Sequence, residues 1–212
     1  MRLAWVIRLS VAAIVVLIVL ATRAWWVPAV GRAMVCESQV GPADAIVIDN
    51  VETNYLLFER AADLQRQHIA SRILVPTQAA PDTKEPDLVS AGIVELLARI
   101  SRLDGFEMIP TFESEPITLN VAHQLRRFVR KHGIRSIVLV TPALRSRRSF
   151  LVYQSILRPD GVAVQCAPVS RGNDTETWNQ SWHGLEQIVE QYGKFGYYRF
   201  YVLPFLTKRI DG

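Results

Sequence analysis

Apolar and polar positions divide this chain into a short opening segment and a long alternating body. In the body, brief β-branched runs are separated by amphipathic stretches of helical period. The clearest unit is residues 136–157, SIVLVTPALRSRRSFLVYQSIL. Ile137–Val140 reads as a strand covered on both faces. Thr141 suits a helix N-cap and Pro142 the first helical position. The helix then follows the strand directly, with Phe150, Tyr153 and Leu157 on its core side. Similar strands are predicted at residues 43–49 (ADAIVID), 72–76 (RILVP), 106–109 and 162–167. Helices are predicted over 54–69, 87–102 and 118–132, the last closed by Gly133. Leu57, Ala61 and Leu64 form the inner stripe of the first. Val89, Ile93, Leu96, Leu97 and Ile100 form that of the second. A last helix starts near Trp178, with interruptions expected at Gly193 and Gly196. Residues 197–205 are aromatic and apolar, open to a strand, a helix or a membrane contact.

Strands alternating with helices at this spacing predict an α/β fold: a Rossmann-like three-layer sandwich with a mostly parallel sheet of about five strands. The loops after its strands share one edge, where ligands bind in such sheets. That edge gathers Asp49, Asn50, Glu52, Thr77, Gln78, Glu113, Glu115, Thr141, Arg145, Arg148, Ser170 and Arg171. Arg145 and Arg148 stand one turn into a helix, suited to grip a phosphate or carboxylate. Asp49 or Glu113 is placed for acid–base work.

The opening segment has a different pattern. Residues 9–22, LSVAAIVVLIVLAT, hold no charge, glycine or proline. Fourteen residues are short of a span, but residues 3–7 and 24–27 extend them to membrane length. Trp5 and the pair Trp25, Trp26 suit the two interfaces. Residues 1–27 therefore read as one N-terminal transmembrane helix, residues 28–42 as a linker and 43–212 as the folded domain. A signal peptide cut after Ala24 is the alternative. Arg2 and Arg8 before the segment favour an inside amino terminus, placing the soluble domain in the periplasm of a plasma-membrane protein. An outside domain would let Cys36 and Cys166 pair. Taken singly, they read as two unrelated small apolar residues.

Composition removes several function classes. The net charge is +4, but the basic residues are scattered, with no basic stripe interleaved with aromatics. A nucleic-acid partner is therefore not expected. There is no GxGxxG, no GxxxxGK[ST] and no GxSxG. His68, His123, His132 and His183 show no metal-ligand spacing and read as surface or helix-end residues, so no metal is expected. No cofactor and no catalytic residue is identified from these patterns, and enzyme activity stays open.

The order of motifs resembles the YdcF/SanA/ElyC-like family of bacterial envelope-associated domains, over residues 43–198. ADAIVIDNV stands where that family has a strand of the type ADAIVVLGG. Arg60 and Ala61 match its first helix, and Glu113 its acid after the third strand. Asn120 survives from its Asn-Thr-x-Glu-Asn. VTPALRSRRS, residues 140–149, is similar to its VTSxxHxxRA, with Arg148 on the arginine and Arg145 where the histidine is expected. Trp178, Trp182 and Glu190 resemble its last helix. The resemblance implies a Rossmann-like fold, a single amino-terminal anchor and an envelope setting. It names no substrate; the expectation of a small phosphorylated ligand comes from Arg145 and Arg148 at a helix start, and with the matched positions it makes Arg60, Glu113, Asn120, Thr141, Arg145 and Arg148 the expected ligand-binding residues. Arginine at the histidine position cannot exchange protons near neutral pH. The alternative is thus a diverged, non-catalytic member acting through membrane protein partners.

Overall fold

The computed structural model describes residues 2–37, 40–49, 54–80, 85–112, 114–170, 172 and 174–206. Two helices open the chain, α1 (Arg2–Ala21) and α2 (Arg23–Arg32). The body then alternates: β1 (Ala45–Ile48), α3 (Tyr55–Arg66), β2 (Arg72–Gln78), α4 (Leu88–Ile100), β3 (Phe106–Thr111), α5 (Ile117–Lys131), β4 (Ser136–Pro142), α6 (Ala143–Leu157) and β5 (Ala163–Val169). A short α7 (Asp174–Thr177), a 3₁₀ turn (Trp178–Gln180), α8 (Trp182–Tyr197) and a π-helical segment (Tyr198–Leu206) complete it.

All five strands are parallel, in the order β3-β2-β1-β4-β5. The fold is a Rossmann-like α/β sandwich. Its layers follow from the two-residue period of a strand. Val47, Leu74, Ile137 and Leu139 face α5, α6 and the π-helical segment, meeting Leu125, Tyr153 and Val202. Ile46, Ile48, Ile73, Val75, Val138 and Val140 face the other way, onto Leu57, Phe58 and Ala61 of α3 and Val94 and Ala98 of α4. Gly133, at φ +65°, lets the chain turn from α5 into β4, as its sequence position predicts.

Several expectations change. Thr141 is not a cap: β4 continues in register with β5 through Thr141↔Pro168 and Pro142↔Val169, so α6 starts at Ala143 with Pro142 as its N-cap. α4 turns Val89, Ile93, Leu96 and Ile100 to solvent and buries Val94 and Ala98. It covers β2 beside α3 near the sheet margin, where of the expected stripe only Leu97 packs against the core, half-buried beside Val94 and Ala98. α8 runs unbroken through Gly193 and Gly196. Residues 197–205 are helical, with Tyr198 and Val202 packed into the core. His123, expected at the surface, is buried in α5.

The end of the expected span and the part of the expected linker up to Cys36 pack against the domain. Val27 and Gly31 of α2 are buried, and the Trp178 indole N–H donates to Val27 O at 2.8 Å. At Gly31 the α7 backbone comes so close that a Cβ would lie 1.8 Å from Thr175 O. Beyond α2, Arg147 N donates to Met34 O, Cys36 N donates to Ser146 Oγ at 2.8 Å, and Cys36 is disulfide-bonded to Cys166 in β5. The two cysteines are therefore a pair, not unrelated apolar residues. No single helix among the described residues is long and apolar enough to cross a membrane. The stretch Trp5–Ala21 with α2 reaches that measure together, bent by 65° between the two helices.

Candidate functional site

The strand order reverses direction between β1 and β4, and in open parallel sheets the crevice at such a point is the usual ligand site. Asp49, directly after β1, and Thr141, near the end of β4, meet there. Asp49 Oδ2 accepts hydrogen bonds from Thr141 Oγ1 at 2.8 Å and Ser149 Oγ at 2.7 Å. Arg145 Nε lies 3.5 Å from the same oxygen, and its Nη2 donates to Asp49 O at 3.1 Å. Asp49 is 1% exposed and Arg145 4%. The group is a buried carboxylate–guanidinium pair bridging β1 to α6. Tyr153, two turns further along α6, is fully buried beside it. Its phenol is held well above the usual tyrosine range, first by burial and then by the Asp49 charge.

A cavity of about 410 Å³ opens at the carboxyl ends of β4 and β5. Its walls include Asn54 and Tyr55 from the start of α3, Pro142–Leu144 from the start of α6, and Thr177, Trp178, Ser181, His183 and Gln187 around the start of α8. Local chemistry explains why the walls hold. Asn54 caps α3 by accepting from Leu56 N, and Ser181 caps α8 by accepting from Gly184 N. Gly184 lets α8 abut the 3₁₀ turn, since a Cβ there would lie 2.1 Å from Trp178 O. α6 has no side-chain cap, because its N-cap is a proline. An uncapped first turn presents backbone N–H groups without intrahelical partners and the positive end of the helix dipole. A groove of about 590 Å³ runs between α3 and the end of α4, away from the carboxyl edge of the sheet.

The residues expected to bind ligand are dispersed. Thr141 and Arg145 come together through Asp49. Arg148 is buried on the α5 side, where Nη1 donates to Thr118 Oγ1 at 3.3 Å and the guanidinium lies 5.2 Å from the Tyr198 ring centre. Asn120 donates to Ser114 O and Pro116 O at the start of α5. Arg60 is half-buried on the second turn of α3. None of these five lines the cavity. Glu113, with Asn50, Glu52 and Arg171, lies outside the described residues. From the chain pattern His183 reads as a surface residue and Trp178 as the start of the last helix; neither they nor Ser149 and Ser181 are expected at a site. Ser181 carried one signal, a hydroxyl residue directly before a helical pattern; the rest arise from tertiary packing. Among the described residues no cluster of His, Cys, Asp and Glu is disposed to hold a metal ion.

No protein-family model matches the chain, and no curated protein matches it.

Proposed function

We propose that this chain is a membrane-anchored, extracytoplasmic domain of the cell envelope, similar to the YdcF-like type, that binds a small phosphate-bearing ligand in the cavity at the start of α6. One observation carries the ligand assignment: the uncapped N-terminus of α6 opens onto that cavity, at the carboxyl edge of the sheet. No lysine or arginine lines it among the described residues, so the anion is held by helix N–H groups and neutral donors, with His183 the one side chain there able to carry positive charge. Thr141 and Arg145 act from behind the wall, fixing the β4–α6 junction through Asp49. The disulfide supports an oxidising compartment outside the cytoplasm. The exposed apolar side chains of α1 support an anchor, with one bend before the domain.

The test is a thermal shift on the full chain in detergent micelles, with inorganic phosphate and phenyl phosphate as probes and His183→Ala alongside. A ligand at ten times its Kd adds about 1.4 kcal/mol to the folded state, or about 3–6 °C in Tm for a chain of this size. A shift in the parent that His183→Ala reduces supports the site. No shift with either probe overturns it. A second reading, a non-catalytic member working through membrane protein partners, is favoured by Arg145. That guanidinium stands where the resembling family has histidine, and it is buried against Asp49. Turnover of any phosphorylated envelope precursor by the purified chain would end the second reading.

A further inference from the structure

The described surface carries one long band of exposed aromatic and aliphatic side chains that the cavity does not use. On α8, Trp182, Leu185, Val189 and Tyr192 recur at helical spacing and all are exposed. Glu190, paired with Lys194, lies toward the flank of the helix, and Glu186 stands at the band's edge, one turn from both Trp182 and Val189. The π-helical segment continues the band. It buries Tyr198 and Val202 and turns Phe200, Tyr201 and Phe205 outward. Tyr201 sits 5.4 Å from the ring of Tyr197 and 5.8 Å from that of Phe205. Tyr192 Oη donates to Val30 O at 2.9 Å, which joins the band to α2. Trp25 on α2 is 84% exposed, nearly matching Trp182 at 80%.

We infer that this band lies against the lipid surface, so that the domain rests on the membrane instead of hanging free below its anchor. The inference rests on the proposed anchoring by α1. Continuity decides the occupant. The band joins α2, and α2 follows directly on α1, whose large apolar side chains from Trp5 to Leu20 are all exposed. A helix apolar on every side needs a non-aqueous cover, and a surface contiguous with it meets the same medium. The residue types agree. Trp and Tyr pair a large apolar body with one polar tip, which suits the headgroup boundary. Exposed Arg23 and Arg199 at the band's margins complement anionic phospholipid.

The test uses the full chain reconstituted into phosphatidylcholine–phosphatidylglycerol vesicles, with and without brominated acyl chains, in the parent and in Trp182→Phe. Bromine quenches only tryptophans that touch lipid. If Trp182 lies on the membrane, removing it lowers the quenched fraction of the emission; if it faces water, removing it raises that fraction. A fall, accompanied by a smaller quenched fraction in Val189→Glu, supports the inference. A rise, with the chain still resistant to alkaline carbonate extraction, overturns the docked face and leaves the anchor standing. Release of the chain by carbonate, with no emission quenched, overturns both. Trp182 cross-linked to a second copy without lipid quenching also overturns it, in favour of a dimer.

Discussion

The Asp49–Arg145 pair lends itself to a decisive perturbation, because one substitution removes its charge while keeping the side chain's size and shape. Asp49→Asn keeps an acceptor at the Oδ2 position for the Thr141 and Ser149 hydroxyls. The new amide nitrogen takes the Oδ1 position, which has no hydrogen-bond partner among the described residues, so its buried N–H donors go unpaired at about 1–3 kcal/mol, a cost shared by the single and double variants. What disappears is the carboxylate charge 3.5 Å from the Arg145 guanidinium. Breaking a buried pair by removing one partner costs about 3–5 kcal/mol, on the order of 10 °C in Tm. Arg145→Met leaves the Asp49 carboxylate buried with, among the described residues, the Thr141 and Ser149 hydroxyls as its donors and carries a similar cost. In the double variant neither charge remains, so its loss should fall short of the summed losses by about 2 kcal/mol. Urea unfolding of the full chain in micelles, followed by circular dichroism, gives all three values. Additive effects, or a loss under about 1 kcal/mol for Asp49→Asn, would refute the claim that charge coupling holds β1 to α6.

Three more outcomes are expected. The Tyr153 phenol is raised above its unfolded value, so the stability tied to it is complete below about pH 10 and is lost as pH climbs through the folded value; Tyr153→Phe should flatten the alkaline fall of Tm, and an unchanged profile would exclude Tyr153 as its source. Replacing Cys36 and Cys166 together by serine opens a bridge with a sequence separation of 130 and should cost about 2–4 kcal/mol; the untreated parent should show no thiol reactive to maleimide. Gly31→Ala drives a Cβ into the Thr175 carbonyl and should cost about 1–3 kcal/mol, with a red shift of Trp178 emission as α2 lifts away; a parent-like Tm and spectrum would mean that α2 is not docked there.

The strands and their parallel arrangement were legible because each is a short β-branched run between turn residues, and a run covered on both faces has few other readings. The burial of α4 was not legible. Its apolar residues outnumber the positions the sheet margin can cover, so packing chose a line through Val94 and Ala98 and kept only Leu97 of the stripe that periodicity named. The α2 segment escaped notice because Gly31 and Pro28 read as linker punctuation, whereas Gly31 is the point of closest approach to α7. At the carboxyl edge the sequence brought Asp49, Thr141 and Arg145 to one place, because strand ends in a parallel sheet share an edge. It could not show that Arg145 spends its charge on Asp49 rather than on a ligand, since that depends on a helix starting one residue later than its capping signals suggest. His183 enters the cavity wall from the start of α8 and Trp178 from the 3₁₀ turn before it, which α8 abuts at Gly184.

The Cys36–Cys166 bond also sets how the molecule would carry load. With one end held by α1 and a pull applied beyond α8, tension runs from the amino terminus to Cys36, crosses the sulfur bridge to Cys166 in β5, and continues toward the carboxyl end. Residues 37–165 sit inside the covalent loop and bear none of it. Four of the five strands, Asp49 and the start of α6 are therefore isolated from mechanical strain, which falls instead on β5, α8 and the N-terminal helices. A stretched molecule would lose its outer helices while the sheet centre stayed folded, until the bridge was reduced.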